Sequence, residues 1–250
     1  SRKTVYGSGG GIVWDSRPIP EFKELGYKTR ILGKVAIDES FYIFETMKLQ
    51  HPKGILMLAK HLKRMEMAAN YFGINYSEKI ALSFIEAELK SRSVNFDARL
   101  KLTLDTFGKF NLLCSAIERP FEPSQLVQFV STPVDRNNIF LYHKTNFRQV
   151  YDRAQDEVPA QVEPILFNQE SEVTETNISN IVFEKNGELF TPPVTCGLLP
   201  GIMRTQLIQN NVIKEKIITK SELIKVDKVY LINALRGWRN ARFSKSSVIE

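Results

Sequence analysis

Apolar residues recur along this chain at two periods. Between Ile55 and Phe72 they fall at three- and four-residue steps, with Leu58, Leu62, Met65, Ala69 and Phe72 in phase and Gly73 as a stop. That spacing predicts an amphipathic helix. A second helix is predicted from Ser77, with Glu78 in its first turn, to about Lys90. Pro18 and Pro20 lead into another through Leu32, and Gly201 to Asn211 reads as a further one. Elsewhere the period is two or the apolar runs are short. Arg99-Leu100-Lys101-Leu102-Thr103-Leu104 alternates strictly, as a half-buried strand does. Phe41–Met47 and Phe110–Ile117 are predicted strands. Shorter ones follow at Val127–Ser131, Ile139–Tyr142, Ile165–Asn168, Ile178–Phe183 and Val229–Asn233. Asn186-Gly187 is a hairpin turn joining Ile178–Phe183 to Glu188–Thr191.

The order of elements is α+β, without the regular strand–helix alternation of a doubly wound fold. The stretch Glu118-Arg119-Pro120-Phe121-Glu122-Pro123-Ser124 reads as a connection between parts. Three segments are expected: 1–34, a small α/β domain at 35–120, and a larger strand-rich domain at 121–250.

Composition narrows the functional classes. The chain is 43% hydrophobic and 25% charged, as ordinary soluble globular proteins are. No apolar run reaches the roughly 20 residues that span a bilayer, and Ser1-Arg2-Lys3-Thr4 is not an apolar leader, so a cytoplasmic protein is expected. Its net charge of +6 is scattered. The densest stretch, Lys214 to Lys228, is interleaved with Glu215, Glu222 and Asp227, which favours a solvated face over a nucleic-acid surface. The partner expected instead is a small anionic substrate. Two cysteines, Cys114 and Cys196, and three histidines show no metal-site spacing, so no metal is expected.

Lys144, following an apolar strand, and Glu175, on a later one, are the two groups that a pyridoxal phosphate enzyme needs. A lysine amine bonds to the cofactor aldehyde, and a carboxylate holds the pyridine nitrogen protonated. Each residue alone would pass as an ordinary surface charge. Other positions add weight to the pair. Leu198-Leu199-Pro200-Gly201-Ile202-Met203-Arg204 passes from a loop into a helix, and free N–H groups at a helix start attract phosphate. Arg64 stands on the first long helix, and arginine forks onto phosphate well. Asn233 ends an apolar strand, a common position for a site.

In order, FET at Phe44–Thr46, HLKR at His61–Arg64, HKT at His143–Thr145, EVTETNISNIVF at Glu172–Phe183, LLPGIMR at Leu198–Arg204 and NALRGW at Asn233–Trp238 resemble the class IV aminotransferase family. This is the fold type IV group of pyridoxal phosphate enzymes, which includes branched-chain and D-amino acid aminotransferases and 4-amino-4-deoxychorismate lyase. The resemblance spans about residues 35–245. It implies pyridoxal 5'-phosphate as cofactor, Lys144 as the cofactor lysine and Glu175 as the partner of the pyridine nitrogen. It further implies phosphate contacts from Arg64, from the backbone of Ile202 and Met203, and from Asn233 and Ala234. Asn177, Ser179 and Asn180 are expected around Glu175. Many members carry threonine where this chain has Met203, so one hydroxyl contact is expected to be missing. The family also implies a homodimer.

FET and NALRGW resemble the lyase branch more than the transaminases. Residues 1–34, with Gly9-Gly10-Gly11-Ile12-Val13-Trp14-Asp15-Ser16, Glu24 and Lys28, resemble the C-terminal tail of a chorismate-binding para-aminobenzoate synthase domain, without the sheet that would complete that site. A chain derived from a synthase–lyase fusion is the simplest expectation. The activity expected is conversion of 4-amino-4-deoxychorismate to 4-aminobenzoate and pyruvate. A D-amino acid or branched-chain transaminase is the alternative, and an inactive cofactor-binding remnant a third reading. The dicarboxylate substrate needs basic contacts, for which Arg99, Lys101, Arg148 and Arg236 are candidates.

Overall fold

Strict alternation sets up the first sheet. The computed structural model describes residues 40–117 and 121–244. The segment 1–34 with its synthase-like resemblance, and the helix expected there, lie outside the described residues. Strand β1 (Tyr42–Gln50) and strand β3 (Ala98–Asp105) pair antiparallel, with Phe44 opposite Thr103 and Thr46 opposite Lys101. The two-residue period puts Met47, Leu100 and Leu102 on one face, buried, and Phe44, Thr46, Arg99 and Lys101 on the other. The short β2 (Gly54–Ile55) and β4 (Phe110–Ala116) complete the order β2-β1-β3-β4, antiparallel throughout.

Helices α1 (Leu58–Phe72) and α2 (Glu78–Ser91) lie against this sheet, α1 on β1 and α2 on β4. Leu62, Met65 and Ala69 of α1 are buried, so the predicted stripe is the buried one. Gly73, at φ 70°, closes α1 through its N–H to the Ala69 carbonyl, and the Ser77 hydroxyl accepts from the Ile80 N–H at the start of α2. The first helix starts at Leu58 rather than Ile55, because Met57 adopts a left-handed backbone at φ 54°.

The second sheet comprises β5 (Ser124–Phe129), β6 (Glu163–Phe167), β7 (Val173–Thr176), β8 (Asn180–Lys185), β9 (Glu188–Thr191), β10 (Lys214–Glu215), β11 (Lys228–Asn233) and β12 (Gly237–Phe243). Its order is β10-β9-β8-β11-β12-β5-β6-β7, and a further pairing of β7 with β8 closes six of these strands into a ring. That closure rests on Glu175 opposite Asn180. Strand β8 manages it by using one edge twice, for β7 at its start and for β9 at its end. Val127, Ile165, Val173, Ile181, Phe183 and Leu231, from five strands of the ring, meet in one buried cluster. The β8–β9 hairpin turns at Asn186-Gly187, with φ 54° and 76°, as a two-residue turn with both central φ angles positive requires.

Several elements differ from the sequence-based expectation, among them the short β2 and β10 and the single helical turn at Lys220–Leu223, which were not predicted. Ile139–Tyr142 is not a strand but a one-turn helix at Ile139–Leu141, started by the Asn138 side chain accepting from the Phe140 N–H at 3.0 Å. Helix α3 (Gln149–Asp156) and strand β12 were not predicted; α3 is amphipathic, with Tyr151 and Ala154 buried, but short and mostly polar. Helix α4 (Ile202–Gln209) starts on Pro200-Gly201 as expected, and α5 (Lys220–Leu223) is a single turn with a Thr219–Glu222 capping box. The described residues from Tyr42 to Ser244 belong to one compact unit that holds both sheets. Among the described residues no helix is long and apolar enough to cross a membrane.

Leu102 is fully buried under β3. Leu102→Ala should destabilise the protein by about 2–5 kcal/mol, seen as a lower urea midpoint with little change in slope.

Candidate active site

Lys144 follows the one-turn helix rather than a strand. The segment Lys144–Asn146 is laced to the start of β1 instead. The Phe44 N–H donates to the Lys144 carbonyl at 2.9 Å, Asn146 N–H donates to the Tyr42 carbonyl at 3.1 Å, and the Tyr42 N–H donates to Asn146 Oδ1 at 2.8 Å. A bridge between Ile43 and Thr145 completes the attachment. The amine Nζ lies 4.8 Å from the centre of the Phe44 ring. Its surroundings disfavour charge: burial first, then the Arg64 and Arg148 guanidinium groups, push the amine down to about 7. At neutral pH a large share of Lys144 is therefore the free base.

Glu175 stands on β7 and is only 4% exposed. Its Oε1 accepts from the Tyr151 hydroxyl at 2.7 Å and from the Leu199 N–H at 3.0 Å. Its Oε2 accepts from Asn180 Nδ2 at 3.0 Å, and the same Nδ2 donates to the Leu199 carbonyl at 2.9 Å. Burial pushes this carboxyl up to about 7, opposed by the Tyr151 and Leu199 donors and by Arg148 and Lys144.

Lys144 and Glu175 both line a cavity of about 390 Å³. Of the residues singled out from the sequence, Arg64, Asn177, Ser179, Asn180, Ile202, Asn233 and Ala234 line it as well, and so do Arg99, Lys101, Arg148 and Arg236. Met203 does not. One step along α4, its side chain packs against the buried cluster of Val182, Ile213 and Ile232. Arg99 and Lys101 reach the cavity from the open face of the first sheet, where Phe44 and Thr46 flank them. Arg148 stacks on Tyr151 at 4.4 Å and donates to the Asn177 carbonyl. Arg236 lies 3.6 Å from the buried Glu163, which also binds Arg239 at 2.6 Å. Arg239 and Asn233 both donate to the Ser179 hydroxyl, so the polar turn before β8 is tied to the end of β11.

The end of the cavity near Arg64 is built around a carboxylate that sequence analysis did not single out. Glu45, in the FET run, is 1% exposed and accepts from Arg64 Nε at 2.8 Å and Nη2 at 2.6 Å, while His61 Nδ1 lies 2.7 Å away. Burial would raise this carboxyl, but Arg64 and His61 outweigh it and hold it at about 2. Arg64 is thereby fixed beside the start of α4, where its Nη1 donates to the Pro200 carbonyl at 3.1 Å. A polar residue amid the apolar positions of β1 was the available signal for Glu45. The signal for Tyr151 was its three-residue spacing to Ala154 on one face of α3, a helix too short and polar to be predicted.

Pyridoxal 5'-phosphate fits these residues. An amine pushed toward its free base stands in the same cavity as a buried carboxylate bound by neutral donors. A fixed guanidinium and the first N–H groups of a helix stand at the cavity edge. Two buried polar atoms of lining residues, His61 Nε2 and Asn177 Oδ1, make no hydrogen bond among the described residues. Among the described residues no group of three histidine, cysteine or acidic side chains could hold a metal.

Comparison with known proteins agrees with this chemistry. The profile of a family described as amino-transferase class IV matches residues 42–242. A Schizosaccharomyces pombe protein that carries the provisional name aminodeoxychorismate lyase is 27% identical, over 79% of this chain and 87% of its own length. Bacillus subtilis aminodeoxychorismate lyase is 25% identical, over 67% of this chain and 64% of its own. A crystal structure from Mesorhizobium loti, provisionally named an amino-acid aminotransferase, superposes with a TM-score of 0.77 at 27% identity, over 82% of this chain and all of the other.

The geometry makes two predictions. Gly201 has no room for a side chain: a Cβ there would lie 1.9 Å from Asn180 Oδ1. Gly201→Ala should displace Asn180 from Glu175 and weaken pyridoxal phosphate binding at least about tenfold in a fluorescence titration, equivalent to about 1.4 kcal/mol. The second concerns pH. Between 7 and 10.5 the unfolded chain keeps a proton on Lys144 that the folded chain has lost, so the contribution of Lys144 to stability rises across that window. Between 4.5 and 7 the folded chain holds a proton on Glu175 that the unfolded chain has lost, so that contribution falls. In cofactor-free protein, urea unfolding should show the advantage of Lys144→Met over wild type shrinking steadily from pH 7 to pH 10. A constant difference would contradict the depressed amine.

Proposed function

The chain belongs to the class IV aminotransferase family, a family of pyridoxal phosphate enzymes, and on that premise we propose that it converts 4-amino-4-deoxychorismate to 4-aminobenzoate and pyruvate. The observation that carries this reading is the charge of the cavity wall. Besides Arg64 and Lys144, four cationic side chains, Arg99, Lys101, Arg148 and Arg236, line the same space, while the Glu175 carboxylate is occupied by its own donors. A substrate with two carboxylates suits such a wall, and the relatives named as aminodeoxychorismate lyases support the choice.

When bound, pyridoxal phosphate supplies an aldehyde that bonds to amines and a ring that accepts an electron pair. The chain's residues do the rest. Glu175 holds the pyridine nitrogen protonated. Arg64 and the N–H groups at the start of α4 bind the phosphate, and Glu45 keeps Arg64 in place. Arg99, Lys101, Arg148 and Arg236 orient the two carboxylates. Lys144, as a free amine, takes the proton from the ring carbon that bears nitrogen. The ether bond to the enolpyruvyl group breaks, and the ring becomes aromatic. Lys144, now an ammonium, returns its proton to the departing group, which leaves as pyruvate. Aromatisation drives the step forward, so the site's main task is orientation.

Transamination shares the first proton transfer and differs afterwards, so neither Lys144 nor Glu175 separates the two reactions. Product analysis does. With pyridoxal phosphate and 4-amino-4-deoxychorismate, wild type should release pyruvate and 4-aminobenzoate in equal amounts, and Lys144→Ala should release neither. Exchange between amino and keto acids without pyruvate release would replace the lyase reading with a transaminase. Arg236→Gln should raise KM for the dicarboxylate at least about tenfold, with a smaller effect on kcat.

A further inference from the structure

Tyr151 lies on α3, outside every motif that marks the cofactor site, yet it touches Glu175 directly. Its ring is 6% exposed and packs with Val130, Leu141, Ala154, Leu166 and Phe167. That packing leaves the hydroxyl at the tip pointing out of an apolar cluster toward the cavity, where it donates to Glu175 Oε1 at 2.7 Å. Helix α3 is short, and the Arg148 guanidinium at its start caps the same ring at 4.4 Å. The phenol is therefore held from both sides.

We propose that Tyr151 is a positioning residue for Glu175, holding its carboxylate ionised and aimed into the cavity that would receive the pyridine nitrogen. The proposal rests on the reading of Glu175 as the partner of that nitrogen. The physical need is plain. A carboxyl buried this deeply tends toward its neutral form, and a neutral carboxyl cannot hold the pyridine nitrogen protonated. Opposing that tendency are Tyr151 from α3, Leu199 N–H from the loop before α4, Asn180 from β8, and the charges of Arg148 and Lys144. Of the three hydrogen-bond donors, the Leu199 N–H is fixed backbone and Asn180 is shared with the Leu199 carbonyl. Tyr151 alone among them brings a hydroxyl directed at Glu175 and nothing else that the structure shows. Its own ionisation is pushed far up by burial and by Glu175, so it remains a donor throughout the working range.

The test uses the full chain with glutamate labelled at its carboxyl carbon, and Glu175→Gln assigns the signal. In cofactor-free wild type the Glu175 carboxyl should titrate near pH 7. Tyr151→Phe keeps the ring and removes the hydroxyl, and should raise that midpoint by about one pH unit, a tenfold change in the ionisation constant. The pH below which pyridoxal phosphate affinity declines should rise with it. A midpoint within about 0.3 units of wild type overturns the proposal. If Tyr151→Phe does not fold, 3-fluorotyrosine placed at position 151 is a stronger donor of nearly the same shape and should lower the midpoint; no movement again overturns the proposal. Glu175→Gln separates this from the reading beneath it. If that variant binds pyridoxal phosphate as tightly as wild type, the assignment of Glu175 fails, whatever the titration of Tyr151→Phe shows.

Discussion

The pairing of Glu175 with Asn180 across β7 and β8 is the constraint on which the rest of the molecule depends. It closes the six-stranded ring, since β7 and β8 meet nowhere else in register. The same two residues are joined by their side chains, and Asn180 also holds the Leu199 carbonyl. One amide therefore connects the ring closure, the candidate cofactor carboxylate and the loop that launches α4. The close approach of Gly201 to Asn180 belongs to the same arrangement, because only a residue without Cβ lets that loop reach the strand.

The site concentrates positive charge in a partly buried space, and the protein offsets that with carboxylates set behind the cavity wall. Glu45 faces α1 and neutralises Arg64 without entering the cavity. Glu163 does the same for Arg239 and reaches toward Arg236. An uncompensated buried charge is costly, whereas one paired with good hydrogen-bond geometry is tolerable and rigid. Among the described residues Lys144 makes no ion pair, and burial with the Arg64 and Arg148 charges outweighs Glu45 and Glu175 and pushes it toward its free base. The arrangement thus separates arginines paired with a carboxylate from a lysine pushed toward its free base.

The first sheet and its two helices were legible because each has one wet face and one dry face, which a single period records. Leu100, Leu102 and Leu104 against Arg99, Lys101 and Thr103 is such a record. The ring strands were legible only as short apolar runs, because residues such as those of β6 and β7 are buried on both faces. Ile139–Tyr142 was misread for the same reason: an apolar run of four residues fits a strand or a helical turn equally, and the Asn138 cap decided the matter. Lys144 therefore stands beside β1 through backbone hydrogen bonds that no local pattern announces.

The sequence alone determined the chemical inventory: a lysine, a carboxylate, an arginine and a loop entering a helix, each in a recognisable run, together with the amphipathic elements that carry several of them. Such features depend on residues close together in the chain, which is why they could be read there. Tertiary structure decided which groups face one another. It placed Glu45 behind Arg64, brought Tyr151 from an unpredicted helix onto Glu175, and turned Met203 away from the cavity while keeping Ile202 beside it. These contacts join residues 19 to 24 positions apart, or adjacent ones that differ only in the direction of their side chains, and burial rather than sequence period selects them.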